Sequence, residues 1–297
     1  MDLPDKDDSA DALALACYYM EHQNSDRRFV RIRDPIISQI REIVLRLQHL
    51  NRVQSPIINR IRQDLAWQFP EAAMTSLDAP LFWGWLASER KSARYDKKLI
   101  NSSGLGLEPE VIHSAKAICE LQRRERALEL QMRALMKDVR FLKYRKVFAR
   151  FGFGERIEAL ILSQIYPLEN YFGANGLPEV KVRIGRESGK PTKRHLSRRR
   201  FQKALGVAPT REDSGDKKTS KKAGSSLIRM ALWQWVFTRI EPKKSRVKNS
   251  LGTALGSIFD KEKEQSRPIR LIRSRIASRA MAWLFAKLVK ELVTDNN

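Results

Sequence analysis

Apolar residues recur at helical spacing through the first third of the chain. Steps of three and four residues separate the apolar positions that follow Asp34-Pro35, namely Ile36, Ile40, Ile43, Leu47 and Leu50. This spacing predicts an amphipathic α-helix, because it places one side chain per turn on the same face. Pro56 is predicted to kink or interrupt the helix, and the spacing then resumes until Phe69-Pro70 ends it.

A second helical pattern follows further along the chain and is the more regular of the two. Its apolar positions are Ile118, Leu121, Leu128, Met132, Leu135, Val139 and Leu142. They predict a heptad-like seam once Glu125 is allowed as a polar interruption. We expect the two long helices to pack as an antiparallel hairpin or against another copy of the chain, with a short helical tip from Glu71 to Pro109 between them.

The C-terminal half combines one short β pattern with further helices. Val180–Ile184 alternates apolar and basic residues, which predicts a strand and a hairpin turning at Ser188-Gly189, the only β element expected. The helix Ser225–Ile240 is predicted to form the core of a compact domain, with its tryptophans buried rather than stacked on bases. The tail from Arg267 to Thr294 is basic and amphipathic, and contact with DNA, RNA or the domain itself is favoured over an anionic membrane surface.

Together these patterns predict a mainly α fold: a long helical, coiled-coil-like hairpin arm, then a compact helical domain with at most a short β-hairpin. The predicted divisions are an N-terminal segment (1–22), the arm (23–148), the compact domain (149–245) and a basic helical tail (246–297). Every apolar run falls short of the roughly 20 residues that span a membrane, and the acidic N-terminus does not resemble a signal peptide. We therefore expect a soluble, cytoplasmic protein without a membrane partner.

The net charge of the chain indicates the class of its binding partner. The net charge is +23 and the isoelectric point is about 10.3, which indicates a polyanionic partner. Fifteen Lys or Arg and four Asp or Glu lie between Lys181 and Lys222, so this segment alone carries +11. A charge run is often only a solvated face, but here we expect phosphate contacts that position DNA or RNA without reading its sequence. The predicted nucleic-acid-binding residues are Lys193, Arg194, Arg198, Arg199, Arg200, Lys203, Arg211, Lys217, Lys218, Lys221 and Lys222.

Ser214 lies in this basic segment, between glycine-bearing and proline-bearing turns. Arg211, Lys217 and Lys218 are near enough in sequence to neutralise phosphate oxygens, and Gly215 would let a backbone approach closely. Ser214 is thus a candidate nucleophile towards a phosphodiester. The alternative is an ordinary solvated turn, because Asp, Ser and Gly are residues that turns favour.

Four short motifs give this half of the chain a more specific interpretation. They are Phe151-Gly152-Phe153-Gly154-Glu155-Arg156, Arg200-Phe201-Gln202-Lys203-Ala204-Leu205-Gly206-Val207-Ala208-Pro209, Ser214-Gly215 and Gly224-Ser225-Ser226-Leu227-Ile228-Arg229-Met230-Ala231-Leu232-Trp233. With them, the stretch from Phe151 to Ile240 resembles the C-terminal domain of the DEDD-type transposases of insertion-sequence family 110/116/902. In that family the serine of the Ser-Gly pair is the proposed nucleophile that joins to a DNA end, so the resemblance gives Ser214 that role. It also implies a DNA partner, a structured guide RNA made by the element, and a homo-oligomer assembled with help from the helical arm.

The resemblance extends to the start of the chain. Asp7-Asp8-Ser9-Ala10-Asp11-Ala12 looks like the last acidic motif of the family's RNase-H-like domain, in which four carboxylates hold divalent metal at the scissile phosphate. By resemblance Asp8 and Asp11 are ligands of Mg²⁺, and the other two carboxylates, with most of that domain, are expected to be missing from this chain. The alternative is that these residues cap a helix, where the helix dipole favours Asp.

The resemblance therefore implies a DNA transposase or recombinase of an insertion sequence, a mobile element of a bacterium or archaeon. It would act at the nucleoid, cutting and rejoining strands through Ser214 with carboxylate-held metal. The alternative is a catalytically inactive, nucleic-acid-binding remnant of such a transposase. A zinc site is not expected, because Cys17 and Cys119 are isolated thiols and the histidines form no cluster.

Overall fold

The computed structural model describes residues 8–23, 33–73, 80–184, 189–214, 217–222 and 224–293, with side chains for all of these except 73 and 210–222. The fold is mainly α, as predicted. The helices of the described part of the chain are α1 (Asp8–His22), α2 (Pro35–Gln68), α3 (Pro70–Ala73), α4 (Pro80–Leu86), α5 (Ala93–Ile100), α6 (Pro109–Leu135), α7 (Leu142–Ala149), α8 (Glu155–Ile165), α9 (Leu196–Ala204), α10 (Ser226–Trp235), α11 (Ser250–Glu264) and α12 (Ile269–Val293). The strands form two antiparallel hairpins, β1 (Val180–Ile184) with β2 (Pro191–His195) and β3 (Pro209–Ser214) with β4 (Lys217–Lys222).

Helices α2 and α6 form the arm and run antiparallel. The start of α2 and the end of α6 contribute to one core, whereas the end of α2 and the start of α6 contribute to another. Asp34 caps the start of α2, because its carboxylate accepts hydrogen bonds from the N–H groups of Ile36 (2.9 Å) and Ile37 (3.3 Å). Pro56 lies inside α2, and the helix continues to Gln68, so the predicted interruption does not occur.

Helix α6 is shorter than the sequence pattern predicts. It ends at Leu135, and a 3-10 turn separates it from α7. Asp138 caps this new turn, since its carboxylate accepts from the N–H of Arg140 at 2.9 Å. Val139 and Leu142, which the pattern assigns to the seam, are 74% and 52% exposed. The predicted seam is therefore wrong beyond Leu135.

The buried side chains form two separate cores. The outer core lies at the tip of the arm and combines the end of α2, the start of α6 and the short helices between them. The rings of Phe82, Trp85 and Tyr95 pack there with centroids 5.2 to 6.2 Å apart, and Trp85 Nε1 donates to Asp96 at 2.8 Å. The tip is helical, as predicted, and has its own hydrophobic interior.

The main core gathers the base of the arm with α7 to α12. Helix α12 buries the apolar positions predicted for the tail, Ile272, Ile276, Met281, Leu284 and Leu288. The tail therefore docks onto the compact domain, and its apolar face is occupied. This core crosses the divisions predicted at residues 148 and 245, which stay predictions. Within the described ranges, no helix combines the length and apolar character needed to cross a membrane.

The described chain contains two β-hairpins, whereas the sequence predicts only one. β1 and β2 form the predicted hairpin. The additional hairpin, β3–β4, has a register that runs from Pro209 opposite Lys222 to Ser214 opposite Lys217. No apolar alternation marks these strands, because they are almost entirely polar, and the pairing relies on the backbone hydrogen-bond ladder. The expectation of at most one hairpin is thus wrong.

Candidate nucleic-acid interface

Two glycines in left-handed backbone conformations anchor the β3–β4 hairpin. Gly206 has φ +74° and Gly224 has φ +86°, a region that glycine enters most readily. A Cβ on Gly224 would lie 1.8 Å from the carbonyl oxygen of Lys203, so the chain passes the last turn of α9 without room for a side chain. Ser225, the N-cap of α10, donates its N–H to the carbonyl of Ala204 at 3.2 Å. The base of the hairpin is therefore fixed between α9 and α10.

Ser214 is the last residue of β3. Its backbone is paired with Lys217 of β4, which places Ser214 next to the loop that joins the two strands. The side chain of Ser214 and loop residues 215–216 lie outside the described residues. A strand end beside a loop is compatible with a nucleophile and with an ordinary turn, so both interpretations stay predictions.

Five of the predicted nucleic-acid-binding residues lie on the same hairpin. They are Arg211, Lys217, Lys218, Lys221 and Lys222. The register sets Lys217 opposite Ser214 and Lys218 opposite Asp213, at the end of the hairpin away from its base. Their side chains also lie outside the described residues, so the hairpin places them by backbone position alone.

Other predicted cations lie on β2 and α9, and their surroundings differ. Lys193, Arg194 and Arg199 are exposed. Arg200 instead donates to Glu179 Oε2 at 2.6 Å, and this hydrogen bond lowers the pKa of the Glu179 carboxyl. The charge of Arg200 is therefore already engaged within the protein.

Arg198 and Lys203, also on α9, are half-buried. Arg198 lines a cavity of 420 Å³ together with Arg275 and Arg279 of α12. Glu262 lines the same cavity, and its carboxylate pairs with Arg275 at 3.4 Å. The positive charge of this cavity is thus partly compensated.

Sequence reasoning missed a group of arginines beside the hairpin base. Arg33, Arg41 and Arg52 come from the start of the arm and line a cavity of 510 Å³ that reaches Gly224. Burial, followed by the nearby charge of Arg33, lowers the pKa of Arg41, which donates to Gln164 Oε1 at 3.0 Å. No sequence signal singles these residues out, because they stand among the ordinary polar positions around an amphipathic helix.

A further cavity, here called the Trp233 cavity, lies between α10 and α12 beside the hairpin base. It measures 740 Å³, and its wall includes Gly206, Arg229, Trp233, Phe237 and Arg270. The rings of Trp233 and Phe237 are stacked, with centroids 6.0 Å apart and 21° between their planes. Trp233 is 38% exposed and Phe237 is 47% exposed. The predicted burial of the tryptophans in this helix is therefore wrong for Trp233.

Asp8 and Asp11 lie in the first turn of α1 and are exposed. Helix α1 has no buried residue, and within the described ranges no group of three or more His, Cys, Asp or Glu side chains could hold a metal ion. Mg²⁺ requires near-octahedral oxygen coordination, so two exposed carboxylates on one helical turn do not by themselves fit the implied Mg²⁺ site. Their place in the first turn also suits the alternative interpretation, because the helix dipole stabilises negative charge there.

A comparison with protein families finds a match over part of the chain. Residues 182–250 match the model of the Transposase IS116/IS110/IS902 family. The matched range begins in β1 and ends at the first residue of α11, so it contains α9, the β3–β4 hairpin and α10. A search of curated proteins found no match. The predicted resemblance to this family of insertion-sequence transposases is therefore confirmed, and it rests on the part of the chain that carries Ser214.

Proposed function

We propose that this protein is an insertion-sequence transposase that binds DNA and cuts it through Ser214. The position of Ser214 carries the proposal. It lies inside the range that matches the family, at the loop end of a hairpin whose strands bear one arginine and four lysines. Cations at this spacing neutralise phosphates, and a serine among them meets the backbone of a bound strand.

In the proposed reaction, Oγ of Ser214 attacks the phosphorus of a phosphodiester in one DNA strand. An Oγ–P bond forms while the P–O bond to one deoxyribose breaks, so one strand end stays joined to the protein. The serine hydroxyl gives up its proton and the departing sugar oxygen takes one up. Rejoining reverses these steps with a hydroxyl of another strand, and a phosphoester bond is conserved throughout.

The exposed cations of β2 and α9, the two elements that precede the β3–β4 hairpin in the chain, also support DNA binding. Lys193, Arg194 and Arg199 are exposed, and α9 leads directly to Gly206 at the start of the hairpin. Contacts from these residues to phosphates would fix the register of the duplex without reading its sequence. Sequence choice would then come from another component.

By the same resemblance, we propose that a structured RNA is that component. Cations outside the hairpin support a second polyanionic partner, since Arg33, Arg41 and Arg52 line one side of the hairpin base. Purification without nucleases, followed by ribonuclease treatment, tests this. Loss of bound nucleic acid after ribonuclease is expected, and its persistence would indicate that DNA alone is bound.

A homo-oligomer joined through the arm is a further part of the proposal. At the outer end of the arm, Trp67, Ile100 and Leu105 are 76%, 83% and 87% exposed, and the N–H of Leu105 donates to the carbonyl of Trp67 at 3.1 Å. Exposed apolar side chains of this size are typical of contact surfaces. Light scattering should show a smaller mass for Trp67→Lys than for the unchanged protein, and equal masses would argue against this contact.

Binding without cleavage is the second candidate function. The observation that favours it is the acidic pair Asp8 and Asp11, which find no third ligand among the described residues. Such a protein would hold nucleic acid with the same cations and leave the strands intact.

One experiment separates these two functions. Labelled DNA is incubated with the unchanged protein, with Ser214→Ala, and with Ser220→Ala as a matched control on the facing strand β4, each with and without Mg²⁺. We expect Ser214→Ala to bind DNA normally but to form no covalent protein–DNA adduct on a denaturing gel, whereas Ser220→Ala forms it. An adduct from Ser214→Ala would refute the assigned nucleophile. Binding by all three proteins with no adduct under any condition would establish the second candidate.

A further inference from the structure

The stacked rings of Trp233 and Phe237 form part of the wall of the Trp233 cavity. The guanidinium of Arg273 lies 4.5 Å from the Trp233 ring centroid and 4.6 Å from the Phe237 ring centroid. Because the two centroids are themselves only 6.0 Å apart, the guanidinium stands beside the pair rather than between the rings. Arg273 does not line the cavity, whereas both rings do. The rings are therefore supported by a cation and remain open to the cavity.

Arg273 acts as a fixed support for these rings. Its Nε donates to Glu241 Oε2 at 2.8 Å, and its side chain is only 11% exposed. The cation–π contact and the ion pair together hold the guanidinium in one place. Phe237 belongs to a π-helical turn, Val236–Ile240, that continues α10, and such turns are frequent at functional sites.

The charge around the cavity complements a phosphate. Arg229 and Arg270 lie on its wall, and among the residues whose side chains the structure describes, none that line it is Asp or Glu. Arg270 is exposed and has no ion-pair partner within the described ranges. An apolar peptide would gain nothing from two arginines, but a nucleotide has both an aromatic base and an anionic phosphate.

The volume and the position of the Trp233 cavity also suit a nucleotide. Its 740 Å³ falls in the usual range for small-ligand sites. Gly206 and Val207 line it and lead directly into β3, so a strand that enters the cavity continues towards the hairpin that carries Ser214. A paired base presents its edge and cannot stack on a protein ring, whereas an unpaired base can.

We infer that the Trp233 cavity holds one unpaired nucleotide of a bound strand. The base stacks on Trp233 and Phe237, and Arg270, together with Arg229, contacts its phosphate. The inference rests on the proposed nucleic-acid function and specifies which form of strand this side of the hairpin recognises. DNA and RNA share the chemistry it requires.

The test compares four labelled ligands by fluorescence anisotropy: single-stranded DNA, single-stranded RNA of the same sequence, a fully paired duplex and a duplex with one extruded nucleotide. We expect Trp233→Leu to weaken binding of the three unpaired ligands about 5- to 150-fold, the loss associated with one stacked base. Binding of the paired duplex should change less than about twofold. Trp233→Tyr should restore most of the affinity.

A second measurement does not depend on the fold of a Trp233 variant. With the unchanged protein, 2-aminopurine at the unpaired position should lose fluorescence on binding, because a stacked ring quenches it. Arg270→Gln should lower the salt dependence of single-strand binding by about 0.7 in log–log slope, the value for one phosphate contact. Equal effects on DNA and RNA would show that the cavity does not read the sugar, and a loss for one of them alone would identify the natural strand.

The outcomes test the inference about the Trp233 cavity and the proposed function separately. If Trp233→Leu binds unpaired ligands as the unchanged protein does, and 2-aminopurine is not quenched, the inference is wrong while duplex binding and the Ser214 adduct still support the transposase function. If the unchanged protein binds none of the four ligands, the proposed function and the inference fall together.

Discussion

Nη2 of Arg156 on α8 lies 2.8 Å from Oε1 of Glu129 on α6, and this ion pair joins the compact domain to the arm. The same guanidinium also pairs with Glu125, whose other oxygen accepts from Nε2 of Gln54 on α2 at 2.9 Å. Glu125, the polar interruption of the predicted seam, thus links α2 and α6 to Arg156 of α8.

Arg156→Met should lower the free energy of unfolding by about 1 kcal/mol, because it leaves two partly buried carboxylates without their cation. The value is discounted for solvent screening, since the Arg156 side chain is 38% exposed. Urea denaturation measures the change. Arg46→Met is the matched control, as Arg46 and its partner Glu42 are 64% and 60% exposed, and a loss below about 0.5 kcal/mol is expected there. Equal losses in the two variants would argue against this role of Arg156.

Gly224→Ala should displace the base of the β3–β4 hairpin. The substitution combines a left-handed backbone with a Cβ that would lie 1.8 Å from the Lys203 carbonyl oxygen. Gly176→Ala is the control for the backbone alone, because Gly176 has φ +70° and open space around it. We expect Gly176→Ala to cost about 1 kcal/mol and Gly224→Ala to cost more and to abolish the Ser214 adduct. Normal adduct formation by Gly224→Ala would show that the hairpin base does not need this geometry.

Glu71 makes the stability of the outer end of the arm depend on pH in a predictable direction. The hydroxyl of Ser102, followed by the N–H of Ser103 at 3.0 Å, lowers the pKa of the Glu71 carboxyl from 4.5 to about 2. A folded-state pKa below the unfolded value means stability that is fully present above pH 4.5 and is lost as the pH falls towards 2.

The melting temperature of the unchanged protein should therefore exceed that of Glu71→Gln at pH 6, and the difference should shrink between pH 4.5 and pH 3. Both proteins share every other titrating group, so the difference isolates Glu71. A difference that stays constant or grows over this range would contradict the assigned hydrogen bonds.

Arg199 and Arg200 are neighbours with opposite expected roles. Arg199→Gln should weaken DNA binding and lower the log–log salt slope by about 1, the signature of one lost phosphate contact. Arg200→Gln should leave that slope unchanged and lower stability by less than about 1 kcal/mol, because it breaks the partly exposed pair with Glu179. Salt titrations and urea denaturation of both variants decide the matter, and an equal effect of the two on the salt slope would refute the distinction.

The arm is largely predictable from the sequence because each of its helices buries one face. Ile37 to Leu47 on α2 and Val111 to Cys119 on α6 place buried side chains at helical spacing, which is the signal that periodicity detects. The end of α6 is not predictable in this way, since apolar residues continue at the same spacing while Asp138 starts a new turn through a local hydrogen bond.

The candidate site is harder to predict from the sequence than the arm is. Ser214 and the hairpin cations stand close together in the sequence, so composition finds them, but the polar strands that carry them leave no alternating pattern. Trp233 and Trp235 are two residues apart and therefore point about 200° apart around the helix. Trp235 is 1% exposed and donates to the carbonyl of Phe151 at 3.2 Å, whereas Trp233 faces the cavity, and the sequence does not tell which of the two is buried.

The docking of α12 onto the main core also sets the order of events during synthesis. Nine of its residues are buried, and the same core begins with Ile37 near the other end of the chain. At a translation rate of 5 to 20 residues per second, roughly 10 to 50 s pass between the synthesis of the start of α2 and that of α12. The outer core needs nothing beyond Cys119 and can form earlier. A nascent chain thus carries a folded arm tip before α12 has supplied its wall of the Trp233 cavity, so that cavity becomes able to take a nucleotide only after α12 has been synthesised.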